Sequence, residues 1–227
     1  MEVYFIWNNI SSLDMDIIVN ELPPIIKAAR DIKKVVIPGR DGFLTEDLKA
    51  YNGTVKPVEC TIRDLSRIDE ILEWLDGSGP VIFSNQDDRE YQATIINQIP
   101  FIRVIEKWRT FVVIFDCQPF ALMLNNPLIT LVAPGSITNT GTHESKPVIK
   151  IYGNGTIDLT VNGNAIHLTN IVGDVTIDSP MMDAYKGTQL MNQNMLGDFP
   201  RLAVGANGIS WTGTVTKVEI TPNWVML

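Results

Sequence analysis

Cysteine and histidine are scarce in this 227-residue chain, which has only two of each. Cys60 and Cys117 each lie in a run of alternating apolar residues, a pattern typical of half-buried strands. We therefore expect two free, buried thiols rather than a disulfide, and folding in a reducing cytoplasm. His143 and His167 have no neighbouring cysteine, so the sequence gives little support to a zinc site.

Basic residues are also few, with 18 Lys and Arg against 26 Asp and Glu and a net charge of −8. Nucleic-acid binders neutralise phosphates with Lys and Arg, so this balance argues against a specific DNA or RNA partner. An acidic surface instead repels DNA, which suits a protein past which DNA slides. No apolar run approaches the roughly 20 residues that span a bilayer, and the first eight residues lack the basic region of a signal peptide. We expect no membrane partner and no signal peptide.

Catalytic signatures are missing as well. The sequence has no Walker phosphate loop, no Gly-x-Gly-x-x-Gly fingerprint and no Gly-x-Ser-x-Gly elbow. Asp14 with Asp16, and Asp87 with Asp88, form carboxylate pairs of the kind that glycosidases use, but such pairs are common on solvated turns. We therefore expect no enzyme activity and no cofactor. The competing enzyme interpretation predicts that changing His143, His167 or a paired carboxylate abolishes an activity.

The composition changes near residue 130. Residues 1–130 hold 13 basic and 19 acidic side chains, whereas residues 131–227 hold 5 and 7. The second part is instead rich in Gly, Asn and Thr. These differences predict two domains, 1–130 and 131–227.

The first part combines strands with one amphipathic helix. Residues 64–77 predict the helix, because apolar side chains recur at three- and four-residue spacing at Ile68, Ile71, Leu72 and Leu75. Residues 91–104 and 109–117 are long β-rich runs with a short connection. They predict a long hairpin or arm that projects from the domain and clasps a neighbour.

The second part predicts an all-β sandwich. Short apolar runs alternate with turn residues, and Asn-Gly pairs, the strongest short-range signal for a hairpin, occur at 154–155, 162–163 and 207–208. Aromatic residues on such a sandwich can stack on sugar rings, which makes a carbohydrate-binding module used in host adsorption the main alternative function. The side chains available for stacking are Tyr152, Tyr185, Trp211 and Trp224. A galectin-type site also needs His, Asn and Arg at alternating positions, and the residues around His167 lack that spacing.

Several segments together resemble the distal tail protein (Dit) family of long-tailed, siphovirus-type phages and prophages. The most specific is 36–42, with Pro38, Gly39, Arg40, Asp41 and Gly42. The opening segment, 5–14, departs from the family at Asn9, where glycine is usual. The other matching segments, in chain order, are 72–79, 83–91, 115–120, 139–147, 192–200, 205–207 and 222–224.

The resemblance implies a mostly β fold: an N-terminal β-sandwich-like domain with one α-helix and a protruding hairpin, and a C-terminal galectin-like β-sandwich that acts as a docking platform. It implies a virion protein, made in the cytoplasm of the host bacterium, that forms a hexameric ring at the distal end of the tail tube, with stacking of rings left open. The implied partners are further copies of the chain, the major tail (tube) protein, the tape-measure protein, a tail-associated lysin or tail-tip protein, and a receptor-binding protein.

Ring closure needs two different patches on each copy, meeting head to tail. We expect the arm to supply one and assign self-assembly to its residues and to the glycine-rich turn 38–42. The predicted arm residues are Ile99, Phe101, Arg103, Ile105, Lys107 and Trp108.

Overall fold

The computed structural model describes residues 2–105 and 108–227. Its contacts separate the chain into two compact units, one running to Ala121 and including Leu227, the other comprising Leu122–Met226. The division falls a few residues before the predicted boundary, which lies inside a short strand, Ile129–Leu131, of the second unit. No helix in the described residues is long and apolar enough to cross a membrane.

The first unit contains a mostly antiparallel sheet and one helix. Strands pair in the order β2-β1-β7-β8-β10-β6-β3, and β9 pairs with β10, whereas β4 and β5 pair only with each other. The elements are β1 (Phe5–Trp7), β2 (Ile10–Ser11), β3 (Ile17–Glu21), β4 (Arg30–Val35), β5 (Leu44–Tyr51), β6 (Thr54–Ile62), α1 (Ile68–Trp74), β7 (Ser78–Phe83), β8 (Gln86–Ile95), β9 (Ile102–Ile105) and β10 (Trp108–Cys117).

The second unit is built on one sheet with the order β12-β19-β14-β15-β16-β17, in which β13 pairs with β19 and β18 with β15. Its elements, together with β11 at the division, are β11 (Ala121–Met123), β12 (Ile129–Leu131), β13 (Gly135–Asn139), β14 (Val148–Val161), β15 (Asn164–Asp178), β16 (Asp183–Lys186), β17 (Gln189–Leu190), a 3-10 turn (Asn192–Asn194), β18 (Met195–Leu196), β19 (Gly205–Thr221) and β20 (Val225–Met226). The mostly β fold expected from the sequence is confirmed.

Alternation along the strands of the first unit places large aromatic side chains in one core. Phe115 is fully buried and its ring centroid lies 5.3 Å from that of Trp7, 5.6 Å from Phe5 and 5.7 Å from Phe83. Trp7 Nε1 donates to the Trp74 carbonyl (3.0 Å), and Trp74 Nε1 donates to the Trp7 carbonyl (3.1 Å). This reciprocal pair fixes α1 on the first strand and satisfies both indole donors inside the core.

The helix is shorter than the sequence pattern predicts, and its inward face differs from the predicted one at Leu72. Ile71, Trp74 and Leu75 are buried, whereas Leu72, predicted to be on the apolar face, is exposed. The Asp64 carboxylate accepts the backbone N–H of Ser66 ahead of the helix instead of capping its first turn. Trp74 takes the place predicted for Leu72 because its indole reaches the carbonyl of Trp7.

The interpretation of residues 91–117 as one long projecting hairpin was wrong. Tyr91 and Phe115 are buried in the core. Strand β10 pairs with β6 from Arg109 to Cys117 and with β8 only at its end, so it is an interior strand of the sheet. The corner between β9 and the start of β10 leaves the core. The sequence pattern is misleading here because apolar residues alternate in the same way in an interior strand and in a free hairpin.

Lys56 is the exception in the first core. Only 1% of the residue is exposed, and its ammonium lies 4.5 Å from the centre of the Tyr91 ring and 5.9 Å from that of Phe83. Its Nζ makes no hydrogen bond within the described part of the chain. Desolvation lowers the pKa of Lys56, the nearby Cys117 thiol opposes this, and Arg89 adds to it.

We expect Lys56→Met to stabilise the fold by about 1 to 3 kcal/mol, because methionine fills the same volume without a buried charge. The folded-state pKa of Lys56 lies below its unfolded value, so the folded protein binds fewer protons and the wild type gains stability as the pH rises towards about 10.4. The advantage of the variant, measured by urea unfolding, should therefore be largest below the folded-state pKa and shrink at alkaline pH. Lys27→Met, at an exposed lysine, is the control and should show no such pH dependence. A Lys56→Met protein less stable than the wild type at neutral pH contradicts this account.

The sequence predicts a hairpin turn at each of the three Asn-Gly pairs of the second unit, but the structure has such a turn at one of them. Asn162 and Gly163 form the β14–β15 turn, both with positive φ, and Val161 faces Asn164 across it. The other two pairs lie inside long strands, at residues 154–155 of β14 and 207–208 of β19. Their asparagines bond to backbone, since the Asn154 side chain accepts the N–H of Gly173 and the Asn207 amide donates to two carbonyls. At these two positions the asparagine side chains stabilise a bulge or the packing of a long strand instead of a tight turn.

Candidate self-association surfaces

The most exposed strand pair of the first unit is the hairpin formed by β4 and β5, called here the free hairpin (residues 30–51). Neither strand pairs with the main sheet. Its register is held across the strands by ion pairs from Arg30 to Asp47 (3.0 Å) and from Lys33 to Glu46 (3.5 Å). These four side chains are exposed, so each pair contributes about 0 to 1 kcal/mol and mainly specifies alignment.

The tip of the free hairpin is the glycine-rich turn that the sequence analysis singled out. The Arg40 N–H donates to the Ile37 carbonyl (3.2 Å), with Pro38 and Gly39 between them. Gly39 has φ +80°, so proline followed by a positive-φ glycine gives the signature of a type II turn. Gly42 has the same positive φ and redirects the chain into β5. A side chain at either glycine would be strained, which accounts for the residue choice at this tip.

Apolar side chains surround this turn and face solvent. Val36 is 73% exposed and Phe43 is 50% exposed. The Phe43 ring carries the Lys34 ammonium 4.7 Å from its centre. The remaining exposed apolar side chains of the hairpin are Ile32, Val35, Ile37, Leu44 and Leu48. A two-stranded ribbon of this kind has no core of its own, and unpaired strand edges bearing apolar residues are typical of protein contact surfaces.

A second exposed apolar region lies at the corner between β9 and β10. Ile105 and Trp108 are exposed there, and the Arg63 guanidinium lies 4.7 Å from the centre of a Trp108 ring. Arg103 is exposed on the same strand. Phe101 differs, because it is partly buried with its ring centroid 4.6 Å from that of Phe111.

The predicted assembly residues thus fall into three groups. Pro38, Gly39, Arg40, Asp41 and Gly42 form the exposed tip of the free hairpin. Arg103, Ile105 and Trp108 lie on the exposed corner, whereas Ile99 and Phe101 are partly buried against the first core. Lys107 lies outside the described residues.

Sequence analysis missed the strands on either side of the tip. The available signal was the pattern around residues 30–51, in which Arg30, Lys33 and Lys34 on one side of the turn oppose Glu46 and Asp47 on the other. Opposite charges facing each other across a glycine-rich turn favour a solvated hairpin over a core strand.

Comparison with solved structures gives a match over both units. The SPP1 Dit (gp 19.1) protein, whose crystal structure is described as a paradigm of the hub adsorption apparatus in phages that infect Gram-positive bacteria, superimposes with a TM-score of 0.74. The match covers 97% of this chain and 98% of that one, at 16% sequence identity. This chain has the Dit fold. No family model matches the sequence, and no curated protein matches it.

In the Dit fold of this chain, one member of each carboxylate pair, Asp16 and Asp88, makes an ion pair with an arginine. Asp16 bonds to Arg67 (3.0 Å), and Arg67 also bonds to Glu70 (2.8 Å). Asp88 bonds to the adjacent Arg89 at 2.7 Å, and this hydrogen bond lowers the pKa of the Asp88 carboxyl. The hydrogen bond from Arg67 likewise lowers the pKa of Glu70. The arginine contacts favour the ionised form of Glu70 and Asp88, an arrangement unsuited to general acid catalysis.

One histidine of the Dit fold does contact a carboxylate. His167 Nδ1 lies 2.5 Å from Asp158 Oδ1, on neighbouring strands, and this contact lowers the pKa of Asp158. The Thr212 hydroxyl donates to the other oxygen of Asp158 (3.3 Å), not to the imidazole. A hydroxyl nucleophile would have to bond the histidine, so this array holds the strands together rather than activating Thr212. Among the described residues no group of three or more His, Cys, Asp or Glu could hold a metal ion.

The two cysteines are free and buried, as expected from the sequence. Burial raises the pKa of the Cys60 thiol well above its usual range, and it raises the pKa of Cys117 to about 12. Thiols this far from ionisation are poor nucleophiles, so they act as small apolar side chains of the first core.

The aromatic residues considered for sugar stacking are largely engaged within the second unit. Trp224 is buried, and Trp211 packs against the second core. The Tyr152 ring lies between the ammonium groups of Lys217 (4.3 Å) and Lys150 (5.0 Å), and its hydroxyl donates to Glu219. A stacking platform needs an open ring face, which the buried Trp224 does not offer.

Proposed function

We propose that this chain is a Dit-family structural protein of a phage tail, acting as a hub of the host-adsorption apparatus. The observation that carries the proposal is the match of the Dit fold over nearly the full length of both chains. The proposal extends to a ring of six copies at the distal end of the tail tube, joining the tube to tail-tip and receptor-binding proteins. The major tail protein, the tape-measure protein and a tail-associated lysin are the other partners.

The free hairpin supports the self-association that a ring requires. A closed ring of identical copies is built from two different patches that meet head to tail. An exposed ribbon with apolar side chains at its tip is costly to leave in water, and packing it on a neighbouring copy removes that cost. The glycine-rich tip and the β9–β10 corner both have this character.

The charge of the chain suits a ring through which DNA passes. With a net charge of −8, the protein lacks the excess of Lys and Arg that makes nucleic acid adhere. DNA moving through such a ring needs neither base contacts nor tight phosphate contacts. The proposed role is therefore mechanical, with proteins as partners and no cofactor.

The test is the native mass of the purified protein, combined with negative-stain images. We expect six-fold rings with a mass of about six chains, formed by the protein alone or once tail proteins are added. A monomer that binds bacterial glycans on an array would instead support the carbohydrate-binding alternative. Absence of self-association both in isolation and in assembled tails would rule out the ring.

A further inference from the structure

The outer face of the first sheet carries an elongated depression, called here the outer trough. It consists of two adjoining grooves that share Glu59 of β6 and Val112 of β10. One groove extends to Ile102 and Ile114 and the other to Glu21 and Pro24. Val112 and Ile102 are exposed, so the trough presents apolar side chains to solvent on a face where a free sheet normally carries polar ones.

Two carboxylates face each other in this trough. Glu21 of β3 lies opposite Glu59 of β6 in the strand register, and both line the same groove. Neither makes an ion pair with any residue in the described ranges. Both side chains are exposed, and like charges directly opposite each other on a sheet are unfavourable. The trough therefore favours an apolar ligand that brings a positive charge.

One basic side chain of the free hairpin can meet this requirement. Lys33 is paired with Glu46 and Lys34 lies over the Phe43 ring, whereas Arg40, beside Asp41 in the tip, makes no ion pair with any described residue. Arg40 stands at the turn beside exposed Val36 and Ile37, and it has no carboxylate partner within residues 2–105 and 108–227. Among the described residues of one copy, neither the Arg40 guanidinium nor the Glu21–Glu59 pair has a counter-ion.

We propose that the outer trough of one copy receives the hairpin tip of a second copy, with the Arg40 guanidinium between the carboxylates of Glu21 and Glu59. Val36 and Ile37 then cover Val112 and its apolar neighbours. The two patches differ, so the contact is head to tail and repeats around a ring. This inference rests on the proposed function and names the two surfaces that carry it. The β9–β10 corner then borders the trough rather than acting as the inserting element.

Mixed disulfide trapping tests the contact between copies. Arg40→Cys and Glu59→Cys are made as separate proteins, mixed, and oxidised under mild conditions. We expect a cross-linked dimer in the mixture and little in either protein alone, because the two cysteines meet only between copies. The native Cys60 and Cys117 are buried and do not interfere. Glu73→Cys, at an exposed glutamate of α1, replaces Glu59→Cys as the control and should give no cross-link.

Charge reversal tests the ionic part. Arg40→Glu and Glu59→Arg are each expected to weaken self-association at least about tenfold, and combining them in one chain should recover most of it. If wild-type rings form but Glu59→Arg rings form equally well and no mixed cross-link appears, the trough is not the receptor and the proposed function stands. If the wild type never associates, in isolation or in tails, both the inference and the ring fail.

Discussion

Shortening the free hairpin is expected to abolish the proposed self-association and to leave a folded monomer. The variant joins Lys33 to Glu46 through Asn-Gly, which keeps the Lys33–Glu46 pair, removes the two pairs nearer the tip and closes the hairpin with a two-residue turn. Because β4 and β5 pair with no other strand, the free energy of unfolding should change by no more than about 0.5 kcal/mol. Loss of the exposed tip removes a central contact of the interface, so association should weaken by about 100-fold or more. Native mass spectrometry and chemical unfolding measure the two quantities on one sample.

A point substitution separates the tip from general surface effects. Val36→Asp places a charge on a side chain that is 73% exposed, and Val132→Asp does the same in the second unit at a side chain that is 77% exposed. We expect the first to impair association and the second to leave it unchanged. Equal effects of the two variants, or rings that persist in the shortened hairpin, would show that the free hairpin is not an assembly element.

Phe115→Ala is expected to destabilise the protein by about 3 to 5 kcal/mol, enough to unfold the first unit in a marginally stable chain. The ring of Phe115 contacts three other aromatic rings and is fully buried, so its removal leaves a cavity that rigid neighbours cannot fill. Phe43→Ala is the matched control, since Phe43 is 50% exposed. It should leave the free energy of unfolding nearly unchanged while weakening association. A Phe115→Ala protein with wild-type stability would contradict the packing described for the first core.

Much of the fold was predictable because the alternation of apolar and polar residues along a strand indicates which side chains are buried. The strand around Cys60 and the β14–β15 turn at Asn162 and Gly163 were found from local patterns that tertiary contacts reinforce. The helix and most of its inward face were found. Leu72 was wrongly placed on that face, since the Trp7–Trp74 bond that orients the helix joins residues far apart in sequence. Asn207 was misassigned for a related reason: its side chain bonds to backbone carbonyls that only the folded strand brings near.

The self-association surface was only half predictable. The turn at Pro38–Gly42 follows from local chemistry, because proline and positive-φ glycine prescribe a tight turn. Whether its flanking strands join the main sheet is not a local property, and apolar residues such as Val35 and Leu44 are as typical of core strands as of exposed ribbons. Residues 91–117 were misjudged for the same reason, since their pairing with β6 depends on strands distant in the chain.

The position of β19 in the second sheet determines when that sheet can form during synthesis. This 17-residue strand pairs with β12, β13 and β14, which are all synthesised earlier. In its pairing with β12, Ile220 lies opposite Ile129. On the ribosome, β14 and β15 can close their own hairpin at once, but β12 and β13 have no partner until β19 is translated. Nascent chains consequently hold open strand edges for most of the synthesis of this unit, until Thr221 has emerged.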